Sequence, residues 1–112
     1  MKKYQVEVIE DAWNDIYDIS QYVLGSDSVA KAEQLIDKIE NLCFSLENIP
    51  ERGHIAHELE RLQISDYREI HYKSYRILYQ IINNCVYIHR VLDGGRDIEQ
   101  LLIKRLLQYE RI

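Results

Sequence analysis

The stretch from Tyr67 to Asp97 holds a cluster of side chains whose types could carry out chemistry. Histidine transfers protons near neutral pH, and arginine binds phosphates and carboxylates through charged hydrogen bonds. Three consecutive strands are predicted here, and they should bring the basic side chains within reach of one another. The candidates for a functional centre are Arg68, His71, Lys73, Arg76, His89 and Arg96.

The three strands are predicted at Tyr67–Tyr72, Tyr75–Ile82 and Val86–Leu92, from their content of apolar and tyrosine residues. Lys73-Ser74 and Asn83-Asn84 provide the two reversals, and connections this short join antiparallel neighbours. Both faces of the middle strand are largely apolar. We therefore expect both faces of the sheet to be covered in part.

The first half of the chain predicts the elements that support this sheet. Tyr4–Val8 alternates apolar and polar residues, which is typical of a half-buried strand. Apolar residues at helical spacing then predict a first helix that ends near Gly25. A second helix should begin after a capping residue within Ser26–Ser28 and run to Ile49. The two helices should form an antiparallel hairpin packed on the sheet.

Two segments complete the predicted order of elements. Residues 55–64 fit either a helical turn or a loop that leads into a strand, and both interpretations stay open. After the strands, Asp97 can cap a final helix, with Gln100 at the capping-box position. The fold class is therefore α+β: an N-terminal strand, an antiparallel helical hairpin, a three-stranded antiparallel meander and a C-terminal helix, in one domain of residues 1–112.

Length and composition narrow the classes of function. With 112 residues, of which 46% are hydrophobic and 29% charged, the chain has the composition of one compact domain. No apolar run is long enough to span a bilayer, so we expect a cytoplasmic protein without a membrane partner. The net charge of −5 argues against a strong non-specific grip on nucleic acid. Any phosphate-binding surface must belong to the second half, because the first 60 residues carry −8 and the remainder +3.

Neither the cysteines nor the histidines predict a metal site. Cys43 and Cys85 form no CxxC pair and are interpreted as small buried hydrophobic residues. His54, His57 and Glu58 form an HxxH pattern, but it lacks the spacing that places two ligands on one helical face. We therefore expect no metal and no other cofactor.

The order of the elements, with the segments Tyr75–Tyr79 and Val91–Asp97, resembles the RelE/ParE superfamily of toxins from bacterial type II toxin–antitoxin systems. This resemblance implies a growth-arresting toxin that a small cognate antitoxin wraps and neutralises. Operator DNA would be contacted only through the antitoxin. The resemblance also covers Asp15 to Tyr22, Pro50 followed by Gly53, and Tyr67-Arg68.

One mode of action in this superfamily is cleavage of mRNA on the ribosome, as in RelE. Metal-independent RNA cleavage needs a base, an acid, and cations that stabilise the phosphorane. By the resemblance, Arg76 and Arg96 match the two arginines of the superfamily, and Arg68 lies where a cleaving member can carry a lysine. The two histidines suit proton transfer. The catalytic set of an endoribonuclease would then be Arg68, His71, Arg76, His89 and Arg96.

The other mode, that of the ParE branch, is inhibition of DNA gyrase, and two features favour it. Leu102 stands six residues after Arg96, where RelE-like relatives carry a catalytic tyrosine, and this chain is acidic where those relatives are strongly basic. The long helical hairpin also resembles the ParE branch. We therefore expect a ParE-like gyrase inhibitor. The first alternative is a RelE-like ribonuclease, and the second is a non-toxic module that binds antitoxin.

Each candidate side chain also has a structural interpretation. Arg76 can pair with carboxylates of the fold or of the antitoxin. His71 and His89 can be ordinary strand residues, and the tyrosines of the strands can pack in the core. Arg96 beside a predicted helix start remains a candidate for contact with an anion.

Overall fold

The structure of the protein is a computed structural model, which describes residues 3–93 together with Gln100 and Lys104. Gln100 and Lys104 are helical, and the rest of the predicted C-terminal helix lies outside the described residues. None of the described helices is long and apolar enough to cross a membrane. The strands are β1 (Gln5–Val8), β2 (His54–Ile55), β3 (Tyr67–Tyr72), β4 (Tyr75–Ile82) and β5 (Cys85–Asp93), and the helices are α1 (Glu10–Ser26), α2 (Val29–Ser45) and α3 (His57–Glu60).

The five strands form one mixed sheet in the order β1-β5-β4-β3-β2. The predicted meander of β3, β4 and β5 is confirmed as antiparallel, and β1 joins it parallel to β5. Lys73 and Asn83 open the two-residue turns with positive φ angles of 54° and 56°. A positive φ at this position matches the twist of the flanking strands, which is why such short turns join them.

The helical hairpin is confirmed, with two corrections at its ends. Gly25 lies inside α1, which continues to Ser26, so it is not the residue after the helix end. Helix α2 ends at Ser45 and not at Ile49. After Ser45 the backbone amides bond to the carbonyl three residues earlier, as in a 3-10 turn, instead of four residues earlier. The carbonyl of Glu47 accepts a hydrogen bond from the Tyr4 amide at 2.9 Å. The backbone there therefore serves the edge of the sheet rather than another helical turn.

Both faces of the sheet are partly covered, as expected. The long helices cover one face, where Ala12, Ile39 and Cys43 pack against Ile77 and Ile88. Burial raises the pKa of the Cys43 thiol to about 12, so this cysteine is an inert core residue. On the opposite face the segment 55–64, which the sequence left open, supplies both the end of β2 and the short helix α3. The cluster on that face contains Ala56, Leu59, Tyr67, Leu78 and Leu92.

A β-bulge in β5 changes which of its side chains face the helices. Leu78 lies opposite Arg90 and Tyr79 lies opposite Ile88, so His89 is the extra residue of the bulge. Ile88 and Val91 consequently share the helix-side core although they are three residues apart.

An ion pair joins α1 to β5 beyond this bulge. The Arg90 Nε and Nη2 atoms donate to the two carboxylate oxygens of Asp15, at 2.7 and 2.9 Å. The Val91 amide donates to the same carboxylate at 2.9 Å. The hydrogen bonds that Arg90 donates to Asp15 raise the pKa of Arg90, and this pair fixes the first helix on the sheet.

The loop before β2 is fastened to the sheet by Tyr79, which is fully buried. Its hydroxyl donates to the Pro50 carbonyl at 2.7 Å and accepts from the Gly53 amide at 2.8 Å. A Cβ atom on Gly53 would lie 2.5 Å from the Tyr79 hydroxyl and 2.6 Å from the Glu69 carbonyl oxygen. Only glycine allows the loop to approach this closely, and the loop in turn places His54.

Replacement of Gly53 in the loop and of Gly25 in α1 should have opposite effects on stability. We expect Gly53→Ala to lower the free energy of unfolding by about 2 to 4 kcal/mol, because the methyl group overlaps a backbone oxygen and a buried hydroxyl. The matched control is Gly25→Ala, where nothing lies within 4 Å in a helix, and it should raise that free energy by about 0.5 to 1 kcal/mol. Urea unfolding measures both. Equal effects would contradict the close approach at Gly53.

Candidate functional site

A polar groove of about 780 Å³ lies on the sheet face opposite the long helices. The register places His54 opposite Glu69 and His71 opposite Arg76. Glu69 and His71 are two residues apart on β3, so they share this face. The strands form one wall of the groove, and helix α3 forms the other. The lining residues are His54, His57, Glu58, Arg61, Glu69, His71 and Arg76.

Glu69 is at the centre of the groove, with only 2% of its side chain exposed. Its Oε1 atom lies 3.0 Å from the His54 Nε2 atom and 2.8 Å from the His71 Nε2 atom. Its Oε2 atom accepts a hydrogen bond from the Arg76 Nε atom at 2.8 Å and a second one from Arg76 Nη2. A carboxylate buried this deeply is stable only when it is paired and hydrogen-bonded, and these three side chains meet that need.

Arg76 binds a second carboxylate with the other side of its guanidinium group. Its Nη1 and Nη2 atoms donate to the two oxygens of Glu58 at 2.6 and 2.9 Å. The hydrogen bonds from Arg76 lower the pKa of Glu58 to about 2, and those to Glu58 and Glu69 raise the pKa of Arg76. The positive charge of Arg76 is therefore balanced by two carboxylates within the fold.

Arg68 lies on the opposite face of β3 from Glu69. Its partner in the register is Tyr79, which belongs to the helix-side core. The Arg68 Nη1 atom donates to the Gly53 carbonyl at 2.7 Å. Arg68 and Tyr79 therefore both stabilise the loop before β2 through hydrogen bonds to its backbone.

His89 lies at the other end of the groove face, away from Arg76. It is buried against Tyr67, with ring centroids 5.2 Å apart, and its Nε2 atom is 3.1 Å from the Gln80 amide oxygen. Gln80 follows Arg76 by four residues on β4, a separation of about 13 Å along an extended strand.

The structure thus brings together two of the five predicted catalytic residues. His71 and Arg76 meet through Glu69, whereas Arg68 and His89 belong to other surroundings. Arg96 lies outside the described residues, as does Leu102. Lys73 extends over the ring of Tyr72 at 5.5 Å. The catalytic roles of these side chains stay a prediction.

The sequence analysis missed the carboxylates that organise the groove, although one signal was present. A two-residue turn at Lys73-Ser74 fixes the register of β3 and β4, which places His71 opposite Arg76. Glu69 is then the nearest acidic residue on the same face. No comparable local signal indicates Glu58, because α3 reaches Arg76 only through the tertiary fold.

Three side chains in the groove could hold a metal ion, and they differ from the HxxH pattern of the sequence. The ligand atoms of His54, Glu69 and His71 all lie within 4.8 Å of one another. The rings of His54 and His57 are instead 6.3 Å apart, centroid to centroid. Two imidazoles and one carboxylate form a ligand set that suits zinc and neighbouring transition metals.

Comparison with known proteins assigns this arrangement to a family. The family model described as the ParE toxin of type II toxin–antitoxin system, parDE, matches residues 6–98. The chain belongs to the ParE toxin family. The match also confirms the predicted membership of the RelE/ParE superfamily. No protein of curated function gives a sequence match.

Two solved structures share the fold of this ParE family member. The chromosomal ParDE toxin–antitoxin system from P. aeruginosa has a TM-score of 0.68 and 12% identity, over 81% of this chain and 96% of that chain. The toxin–antitoxin complex RelBE2 from Mycobacterium tuberculosis has a TM-score of 0.62 and 19% identity, over 86% of this chain and 97% of that chain. At these identities the likeness confirms the fold.

The pairing of Glu58 with Arg76 should make stability depend on pH below the ordinary carboxyl range. A pKa lowered from 4.5 to about 2 stabilises the folded state above pH 4.5, and this contribution is lost as the pH falls toward 2. We expect Glu58→Gln to cost about 1 to 2 kcal/mol at pH 7, and the difference from the parent protein to shrink by pH 2.5.

Urea unfolding at pH 7, 4 and 2.5 measures this difference. Glu60→Gln is the control on the same helix, since Glu60 is exposed and contacts only His57 at 3.9 Å among the ion pairs of the described residues. It should change stability little at any of these pH values. A cost of Glu58→Gln that stays constant from pH 7 to 2.5 would contradict the ion pair.

Proposed function

We propose that this ParE family member arrests growth by inhibiting DNA gyrase in the cytoplasm, and that a cognate antitoxin neutralises it. The observation that carries the choice of target is the pairing of Arg76 with Glu58 and Glu69. An arginine that stabilises a phosphorane must have its positive charge available to the phosphate. Here two carboxylates occupy the guanidinium group, and their negative charges would repel an RNA backbone.

The positions of the remaining candidates also favour a protein target. Arg68 braces a loop from the helix side, and His89 is buried far from Arg76. The four described members of the predicted catalytic set, Arg68, His71, Arg76 and His89, are therefore not gathered at one place. The net charge of −5 agrees with this, since a protein that grips ribosomal RNA is expected to be basic.

The surface of the first helix supports an antitoxin partner. Trp13 and Tyr17 are four residues apart on α1 and thus neighbours on its surface, where they are 42% and 63% exposed. Exposed aromatic side chains in a group are typical of a surface that another protein covers. The two solved structures compared above are described as a toxin–antitoxin system and a toxin–antitoxin complex. Operator DNA would be reached only through the antitoxin.

One observation favours the alternative, a RelE-like ribonuclease. His71 is about half exposed and its Nε2 atom lies 2.8 Å from Glu69. A histidine oriented by a carboxylate can act as a general base or acid. This pair faces the open groove, where a substrate could approach.

A paired assay on the purified full chain without antitoxin tests the proposal. We expect inhibition of gyrase-catalysed supercoiling, together with intact mRNA in translating ribosomes, because the cationic side chains serve the fold. Cleavage of mRNA that His71→Gln abolishes, with supercoiling unaffected, would overturn the proposal in favour of the ribonuclease. A folded protein that neither inhibits supercoiling nor cleaves mRNA, and does not arrest growth, would overturn the proposal in favour of a non-toxic module that binds antitoxin.

A further inference from the structure

We propose that His54, Glu69 and His71 form a binding site for a divalent transition metal, with Zn²⁺ as the best-suited ion. The site is independent of the choice between gyrase and mRNA as target. It uses the Nε2 atoms of both histidines and the Oε1 atom of Glu69, which converge on one point of the polar groove.

The distances are close to those between ligands of one metal ion. Zinc bonds of 2.0 to 2.1 Å in a tetrahedron separate neighbouring ligand atoms by roughly 3.3 Å. The two Nε2 atoms lie 3.0 and 2.8 Å from Glu69 Oε1, so these two contacts need to lengthen by only a few tenths of an ångström, and all three ligand atoms lie within 4.8 Å of one another. Both imidazoles are about half exposed, and their rings meet edge to face at 5.3 Å, which leaves them room to rotate.

The two carboxylate oxygens of Glu69 have different partners. Arg76 occupies Oε2, and Glu58 holds Arg76 in place with two further hydrogen bonds. Oε1 therefore faces the histidines in a fixed orientation. Partners that orient a ligating carboxylate in this way are a regular part of protein metal sites and increase metal affinity.

The backbone also holds the three ligands in place. Glu69 and His71 are on the same face of β3, and His54 is the register partner of Glu69 on β2. The loop before His54 is fastened by Tyr79 and Arg68. A bound ion would thus connect the short edge strand β2 to β3 through side chains, in addition to its backbone hydrogen bonds.

The ligand types select the class of metal. Imidazole nitrogen suits Zn²⁺, Cu²⁺ and Ni²⁺, whereas Mg²⁺ and Ca²⁺ require several oxygen ligands. Three protein ligands leave a fourth zinc position open toward the groove. Water or a side chain of a partner protein could occupy that position.

Isothermal titration of the full chain with ZnCl₂, after removal of any affinity tag, tests the site. We expect one ion per chain and at least tenfold weaker binding for His54→Gln and for His71→Gln. The matched control is His57→Gln, which removes an exposed histidine from the same groove and should change the affinity less than twofold. MgCl₂ should give no binding.

X-ray absorption at the zinc edge of the unaltered protein provides a readout that does not depend on variants. Two imidazoles and the Glu69 carboxylate oxygen, with a water oxygen at the fourth position, are expected in the first coordination sphere. The proposal is overturned if the folded protein takes up no zinc, if His57→Gln weakens binding as much as the other two variants, or if the absorption spectrum shows sulfur from Cys43 or Cys85.

Discussion

The buried carboxylate of Glu69 is the constraint on which the polar groove and the position of α3 depend. A carboxylate with 2% exposure must be compensated locally, since an isolated buried charge costs several kcal/mol. Arg76 provides the compensation, and its guanidinium group extends the interaction to Glu58 on α3. The short helix is thereby held against the sheet through charge as well as through Leu59.

The other polar contacts position the elements around this centre. Tyr79 and Arg68 hold the loop that leads to β2, which allows His54 to reach Glu69. Asp15 and Arg90 perform a similar function on the far side, where they join α1 to β5. Each of these pairs lies between elements that are distant in the sequence.

The sequence predicted the elements whose causes are local. Turn residues and strand composition located the meander, and apolar spacing located both helices. The end of α2, the short strand β2 and helix α3 depend on contacts with distant residues, such as the Glu47 carbonyl with Tyr4 and Glu58 with Arg76. The β-bulge at His89 depends on the pairing of β5 with β4. Among these features only the segment of α3 had a recognisable pattern, and that pattern fitted a loop as well as a helical turn.

The candidate site was predictable in its residue types but not in its partners. Arg76 and His71 were two of the predicted candidates, and the sequence could not show that a carboxylate stands between them. The same guanidinium group is a phosphate ligand when it is free and a structural element when two carboxylates hold it. Family membership agrees with either target. The charge balance around Arg76 is what favours a protein target.

Exchange of this ion pair for apolar side chains tests the structural role of Arg76 most directly. Because a buried ion pair can be replaced by apolar residues at little cost, the double variant Glu69→Leu, Arg76→Met should fold and lose only the contribution of the Glu58 contact, about 1 to 2 kcal/mol, whereas Arg76→Met alone should lose about 3 to 5 kcal/mol. Growth arrest by the double variant, expressed without antitoxin, is the measurement. The structural role predicts arrest equal to that of the parent protein. A double variant that is folded and harmless, while the parent arrests growth, would contradict it.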